Sequence, residues 1–312
     1  MLARHPYLSF MKRISSPKTW SNRQRQVATG FLLAAPAIIG LAVFVFVPLI
    51  MGFWSSLHVG FGARSRFVWF NNYRYALTEP RFWNSLRVTS LYTLFYTFGS
   101  AFIGFIAALW IAKRIVLKNL FSSLIFLPYV ITPPVATLVW QYMYDKNFGI
   151  FNYLLSLIGI PAVAWLSTPL FAFTALLVVQ IWFSFGYHMI LFAAGMQSIP
   201  PEYFEAAAID GASEFQKVRL IILPLLIPTL VFVLIMSLLA GFAQSFVVAQ
   251  VITGGGPLRT TEVFMLYVYD MAFGNFDVPL ANALTNIMFI LLAVASLLLY
   301  RWQERSYQGL YS

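Results

Sequence analysis

The chain has 312 residues, 60% of them hydrophobic and only 10% charged, a balance that excludes a water-facing globule of this length. It contains no cysteine, which excludes disulfides, thiolate zinc sites and a cysteine nucleophile. The net charge of +10 would suit nucleic acid, but six of the cations (Arg4, Lys12, Arg13, Lys18, Arg23 and Arg25) precede the first apolar run with no acid among them, the ordinary signal holding that end in the cytoplasm.

Runs longer than the ~18 apolar residues of a spanning helix recur along the chain, without the alternation of a closed β-barrel. They predict an all-α integral membrane protein with six transmembrane helices, at 29–57, 87–112, 119–144, 169–197, 221–251 and 278–300. The first is too long for a cleaved signal peptide. A basic arm over 1–28 precedes the transmembrane domain at 29–300, and a short tail over 301–312 follows it. With the N-terminus inside, Lys113, Arg114, Lys118 and the connection at 200–223 fall on the cytoplasmic side, and the even span count brings both termini there. The loop 58–86 fits this less well, since it carries Arg64, Arg66, Arg74 and Arg81 against Glu79 yet is placed outside. Between the third and fourth spans, Gly159, Pro161, Ser167 and Pro169 mark a break.

Several chemistries have no residues to carry them. There is no GxxxxGK[ST] phosphate loop, and TGGGP at 253–257 lacks the lysine. The three histidines are isolated, so no HExxH metal site exists. No carboxylate lies inside a predicted span, with Asp270 and Asp277 at or beyond the edges, which disfavours an ion-coupled secondary carrier working alone. A membrane scaffold that transports nothing is the third reading, and a transporter built this way needs energy from a partner.

Glu202, Glu205, Asp210, Glu214, Lys217 and Arg219 are concentrated in one short connection. Pro200 and Pro201 stop the preceding span, and 202–209 favours a helix with Phe204, Ala207 and Ala208 on one face and Glu205 elsewhere. Gly211 permits a sharp reversal, and Ser213 with Gln216 forms a capping-box pattern that starts a second helix. Small alanines let such a helix settle into a groove on another protein, where Glu205 could meet an arginine. On the residues alone, a solvated interhelical loop remains an equal reading.

A path for a polar solute calls for aromatics and uncharged hydrogen-bonding groups near mid-membrane. Tyr129, Gln180, Ser184, Tyr187, Gln244 and Ser245 qualify, and 180, 183, 184 and 187, like 238, 241, 242 and 245, follow one helical face. Helix–helix packing in lipid uses the same residue types, so packing stays open for all of them. His188, one position off that face, reads as packing.

The segments LPYVITPPVATLVW (127–140), FGIFNYLL (148–155), QSIPPEYFEAAAIDGA (197–212) and TGGGPLRTTEVFMLYVYDMAF (253–273) give the chain a specific likeness over roughly 30–300. It resembles the permease subunits of binding-protein-dependent ABC importers, within them the maltose and glycerol-3-phosphate permease family. That resemblance implies the type I ABC importer permease fold and a non-catalytic subunit of the bacterial inner membrane. It implies a second homologous permease, an extracytoplasmic solute-binding protein, and two ATPase subunits that hold the ATP and magnesium, with no cofactor in this chain. Glu205, Ala206, Ala207, Asp210, Gly211 and Ala212 would form the coupling helix against an ATPase subunit. Gly254, Gly255, Gly256 and Pro257 would face the binding protein.

By the same resemblance, Tyr129, Gln180, Phe183, Ser184, Tyr187, Leu238, Gly241, Phe242 and Ser245 occupy sugar-contacting positions. Gln180 stands where a shorter amide is usual, and Phe242 and Ser245 replace amides, so maltose itself is not implied. Gly241 in place of an aromatic implies a roomier site for a longer saccharide, and the arginines of the outer loop leave room for an acidic one. A glycerophosphate-type solute is the alternative.

Overall fold

The computed structural model describes residues 22–60, 62, 65–112 and 117–311. The basic-arm residues Arg4, Lys12, Arg13 and Lys18, and the loop cations Arg64, Lys113 and Arg114, lie outside the described residues. The chain divides into two compact units, 1–54 and 55–312. The first is helical: α1 (Asn22–Leu41) passes through a π turn at Ala42–Phe46 into α2 (Val47–Ser56), which runs on into the second unit.

The second unit opens with a two-stranded ribbon, β1 (His58–Val59) paired antiparallel with β2 (Arg66–Phe67), followed by α3 (Asn71–Thr78). Asn72 donates to the Ser56 and His58 carbonyls at 2.7 Å each, pinning α3 to that ribbon. Prolines then set the helix starts. Pro80 opens α4 (Pro80–Ala112), Pro133 opens α6 (Pro133–Met143), Pro169 opens α8 (Pro169–Gln197) and Pro201 opens α9 (Pro201–Ile209). A proline in the first turn loses nothing, because that N–H has no intrahelical partner.

Several predicted spans need correction. The third is not one straight helix over 119–144 but α5 (Lys118–Val130) and α6, bent by 94°. Thr132 precedes Pro133, and the ring of a following proline pushes a residue out of helical geometry. Thr132 is accordingly extended, with ψ of 124°, and Ile131 before it is extended too, with ψ of 138°. The fifth begins later than predicted, after α10 (Glu214–Lys217), a π turn at Val218–Ile222 and the single turn α11 (Leu223–Leu225). It then runs as α12 (Ile227–Ala243) and α13 (Ser245–Ile252), interrupted at Gln244. The second span is longer than predicted. At 33 residues, α4 extends about 50 Å, well beyond the ~30 Å hydrocarbon core, so its first turns stand outside it. The chain is completed by α7 (Ile150–Leu157), α14 (Phe264–Tyr269), a π turn at Asp270–Gly274, and α15 (Val278–Tyr311), whose helical backbone continues beyond the predicted span end at 300.

Helix direction follows from which residues meet. Tyr92 meets Gln180, Tyr96 meets Ser184 and Phe105 meets Phe192, so α4 and α8 run parallel and in register. His188 meets Ser237 and Gly195 meets Thr229, so α12 runs antiparallel to both. Two parallel neighbours require the intervening chain to recross the membrane, and the bent pair α5–α6 does so. Five described helices are long and apolar enough to cross, and the bent pair makes six.

Close approach along these seams depends on glycine. A Cβ on Gly104 would lie 2.8 Å from His188 Cβ and 2.9 Å from the Phe185 carbonyl, and one on Gly186 would run into the Ile125 carbonyl of α5. Replacing Gly186 with valine should therefore force α5 off α8, at about 1–3 kcal/mol for an overpacked contact. Thermal unfolding of the detergent-purified chain checks this: the midpoint should fall, and an unchanged midpoint would contradict the packing described.

Candidate docking faces and membrane path

The connection between α8 and α12 folds as a helical hairpin at the membrane side where α4 and α8 end. Its turn is fully hydrogen-bonded. The Gly211 N–H donates to the Ala208 carbonyl at 3.2 Å, the Ala212 N–H to the Ala207 carbonyl at 2.9 Å, and Gly211 sits at φ +71°. This left-handed cap closes α9 in the geometry that glycine adopts without strain. Ser213 then caps α10 reciprocally, its hydroxyl accepting from the Gln216 N–H at 3.3 Å while Gln216 Oε1 accepts from the Ser213 N–H at 2.7 Å.

The capped hairpin presents a defined outer face. Glu205, Ala206, Asp210 and Gly211 are exposed, Ala212 is half-buried and Ala207 is buried against the bundle. Ala208 is exposed, not inward with Phe204 and Ala207 as its helical position predicted, because it falls in the last turn before the reversal. Ile209, which sequence reasoning did not single out, is 87% exposed beside them. An isoleucine this exposed next to Glu205 and Asp210 forms a mixed apolar and acidic surface of the sort that docks into a protein groove.

At the opposite end of the bundle, the segment 253–274 is held by a charged clamp. Arg81, in the first turn of α4, donates through Nη2 to Glu262 Oε1 at 2.6 Å and to Asp270 Oδ2 at 2.7 Å, and through Nε to both Glu262 oxygens. Glu262 is only 5% exposed. The guanidinium lies 4.7 Å from the ring centroid of Tyr267, an attractive cation–π placement. Burial, first among several causes, pushes the Tyr267 phenol up to about 12, so that ring stays neutral. Arg81 is therefore not among the arginines left over for an acidic solute, as its place in the outer loop implied. Its acid partners lie 181 and 189 residues away along the chain. What the sequence offered was two carboxylates, Glu262 and Asp270, in an otherwise acid-poor region.

The TGGGP loop is braced from within. Thr253 and Thr261 hydroxyls lie 2.7 Å apart, Thr261 Oγ1 donates to the Gly256 carbonyl at 2.6 Å, and Thr260 Oγ1 donates to the Pro257 carbonyl at 2.7 Å. Gly254 and Gly255 sit at φ +60° and +89°, where glycine is favoured. Gly254 is exposed, Gly255 is buried, and Gly256 and Pro257 are half-buried. Leu258 is 89% exposed, with the exposed Arg259 beside it.

The predicted path residues fall into separate groups within this chain. Tyr129 and Tyr187 stack almost parallel, with centroids 4.6 Å apart and planes 8° apart, and Tyr129 is exposed. Gln180 and Ser184 instead enter the α4–α8 seam, accepting from the Tyr92 and Tyr96 hydroxyls at 3.3 Å and 3.0 Å, and both are buried. Phe183 is buried edge-on to Trp182. Leu238 and Phe242 line a cavity of about 490 Å³ shared with Ser90, Thr93 and Thr97 of α4 and with α15. Gly241 opens no room there, because Thr93 fills the space a side chain would take. Gln244 is exposed at the helix break, while the Ser245 hydroxyl is buried with no partner among the described residues. His188 is buried with Nε2 3.2 Å from Ser237 Oγ.

A bundle of spans with a capped hairpin at one end and a braced loop at the other has clear relatives. Residues 89–309 match the family described as binding-protein-dependent transport system inner membrane component. The chain belongs to this family. It is 31% identical over 271 residues to a trehalose/maltose transport system permease protein of Thermococcus litoralis, covering 86% of this chain and 91% of that one. It is 31% identical over 281 residues to an sn-glycerol-3-phosphate transport system permease protein of Rhizobium meliloti, covering 88% and 94%. In three dimensions it superposes on a chain of a bacterial ABC transporter involved in the import of the acidic polysaccharide alginate, with TM-score 0.80, 20% identity and coverage of 91% and 99%. A bacterial alginate ABC transporter in complex with alginate pentasaccharide-bound periplasmic protein gives TM-score 0.75 at 20% identity over 94% of this chain and 98% of that one. The permease therefore has the type I ABC importer fold and is a multi-pass inner-membrane transport component.

The clamp makes a direct prediction for this permease. Arg81→Gln leaves Glu262 buried and unpaired, a loss of about 3–5 kcal/mol for a broken buried ion pair. The unfolding midpoint should drop, and the double variant Arg81→Gln/Glu262→Gln should regain at least half of the loss. A single variant as stable as the parent would show the clamp to be idle.

Proposed function

We propose that this chain is one half of the membrane pathway of an ATP-driven importer of a carbohydrate, an oligosaccharide, that moves solute by alternating access. The observation that carries the reading is the capped hairpin, with Glu205 and Ile209 exposed on a face that Gly211 holds in place. In this reading an ATPase subunit grips that face from the cytoplasm, ATP and magnesium are bound by the two ATPase subunits, and closure of the pair moves the hairpin. A second, homologous permease completes the pathway, and a solute-binding protein delivers its cargo to the braced loop around Gly254, Leu258 and Arg259. Both termini then lie in the cytoplasm.

Support for a saccharide comes from the named trehalose/maltose relative, the alginate-importing neighbour and the Tyr129–Tyr187 pair. Flat aromatic faces suit the C–H surfaces of sugars. An acidic saccharide fits too, as no acid lies among the proposed path residues. The second reading, a glycerophosphate, is favoured by the similarity to the glycerol-3-phosphate permease. A binding screen on the cognate solute-binding protein, using neutral oligosaccharides, uronate oligosaccharides and glycerol-3-phosphate, separates these solutes.

Two variants test the grip. Gly211→Asp places a β-carbon where φ is +71°, at about 1–2 kcal/mol for a left-handed residue, and Glu205→Lys reverses the charge of the docking face. Each should abolish solute uptake and solute-stimulated ATP hydrolysis by the assembled transporter while the chain still inserts in the membrane. Unchanged uptake in both would contradict the coupling role. For the path, Tyr187→Ala should lower uptake at least tenfold with the binding protein's affinity for solute unaltered, and full uptake by that variant would remove the stacked pair from the path.

A further inference from the structure

A large cavity of the second unit lies behind the hairpin, on the membrane side of it, and is not part of the proposed solute path. Its volume is about 1090 Å³, at or above the ~300–1,000 Å³ of ordinary ligand pockets. Phe102, Phe105, Ile106 and Leu109 of α4 form one wall, and Val218 and Ile222 of the π turn belong to its lining. From Ala112 to Phe102 the lining follows α4 for about 15 Å, the thickness of one hydrocarbon leaflet.

Polarity along the cavity is one-sided. Its apolar depth is lined by α4, while the charged side chains that line it come from the ends of the spans: Lys118 at the start of α5, and Glu214 and Lys217 on the hairpin. Lys217 is satisfied by Glu214 at 2.9 Å. Lys118 has no acidic partner among the described residues, so the charged end carries a surplus positive charge. An occupant must be apolar for about one leaflet and anionic at the level of the span ends.

We propose that this cavity is a binding site for one anionic phospholipid of the hairpin-side leaflet, with its acyl chains along Phe102, Ile106 and Ile222 and its phosphate at Lys118. Basic pockets between spans on the cytoplasmic side hold such headgroups. A lipid reaches the cavity by lateral diffusion and is already oriented by the bilayer, as a soluble anion is not. Because Phe204, Phe215 and Lys217 of the hairpin also line the cavity, the bound lipid packs directly against the element through which the permease is proposed to be driven.

The test uses the assembled transporter in lipid nanodiscs, labelled with photoactivatable phosphatidylglycerol or photoactivatable phosphatidylcholine and mapped by peptide. The phosphatidylglycerol probe should label 102–112 and 215–223 at least fivefold more than the phosphatidylcholine probe. Lys118→Gln should erase that difference, and Ile106→Trp, which fills the cavity, should lower labelling of both segments by either probe. The variants' insertion is monitored by yield, and binding is read from the labelled peptides alone, so the outcome does not depend on transport. Equal labelling by the two probes in the parent, a difference that survives Lys118→Gln, or labelling spread evenly along the exposed α4 residues Leu94 and Phe98 would overturn the site. So would crosslinking of the two segments to a partner subunit in place of lipid.

Discussion

The parallel, in-register packing of α4 against α8 is the constraint on which the rest of this permease depends. Two long helices in lipid gain little from apolar burial against each other, because the acyl chains are as apolar as leucine. What holds the seam is close contact and hydrogen bonding. Gly104 lets α8 approach at backbone distance, and Tyr92 and Tyr96 donate across it to Gln180 and Ser184. Each hydroxyl has its acceptor one turn after the last, so a slip of one residue would break both bonds and a slip of one turn would leave one of the two tyrosines without its acceptor. The seam therefore fixes register as well as contact.

From that register the two ends of the molecule acquire different chemistry. Parallel α4 and α8 finish on one side, where the hairpin, Lys118 and the leaflet cavity gather. They begin on the other, where Arg81 joins Glu262 and Asp270 and the threonine-braced loop stands out. The buried clusters follow the same axis. One, around Phe82, Phe264 and Leu284, lies at the loop end, and another, around Phe192, Met196 and Leu226, lies at the hairpin end. The Phe264 N–H, at the start of α14, donates to Thr89 of α4 at 2.6 Å, so the loop-end segment is also tied to the helix that reaches the hairpin end. Contiguous helices thus join the hairpin end to the loop end.

Much of this was legible in the chain itself. Length and hydropathy located the spans, because a bilayer sets their minimum length, and Gly211, Ser213 and Gln216 announced the hairpin's turn and cap through local backbone chemistry. What the sequence hid were consequences of distance. The break after α5 follows from Pro133, which was visible, but the 94° angle and the placement of Trp140 against Trp182 of α8 were not. The Arg81 clamp joins residues far apart in sequence, so Arg81 read as a surplus cation of its loop. Helical periodicity put Gln180 and Ser184 with Tyr187, yet the first two turn into the α4 seam, because α8 is packed on more than one side and one polar stripe can serve two neighbours. Gly241 looked like free space only because the hydroxyl that fills it, Thr93, belongs to another helix.

We propose that this permease is moved through its hairpin by a nucleotide-hydrolysing partner. Solute accumulation in sealed vesicles that hold this chain and its partner permease, with a proton or sodium gradient and no ATPase subunit, tests that proposal most directly. No solute should accumulate under either gradient, and accumulation should appear only once ATPase subunits and ATP are present on the hairpin side. Gradient-driven accumulation without them would contradict it.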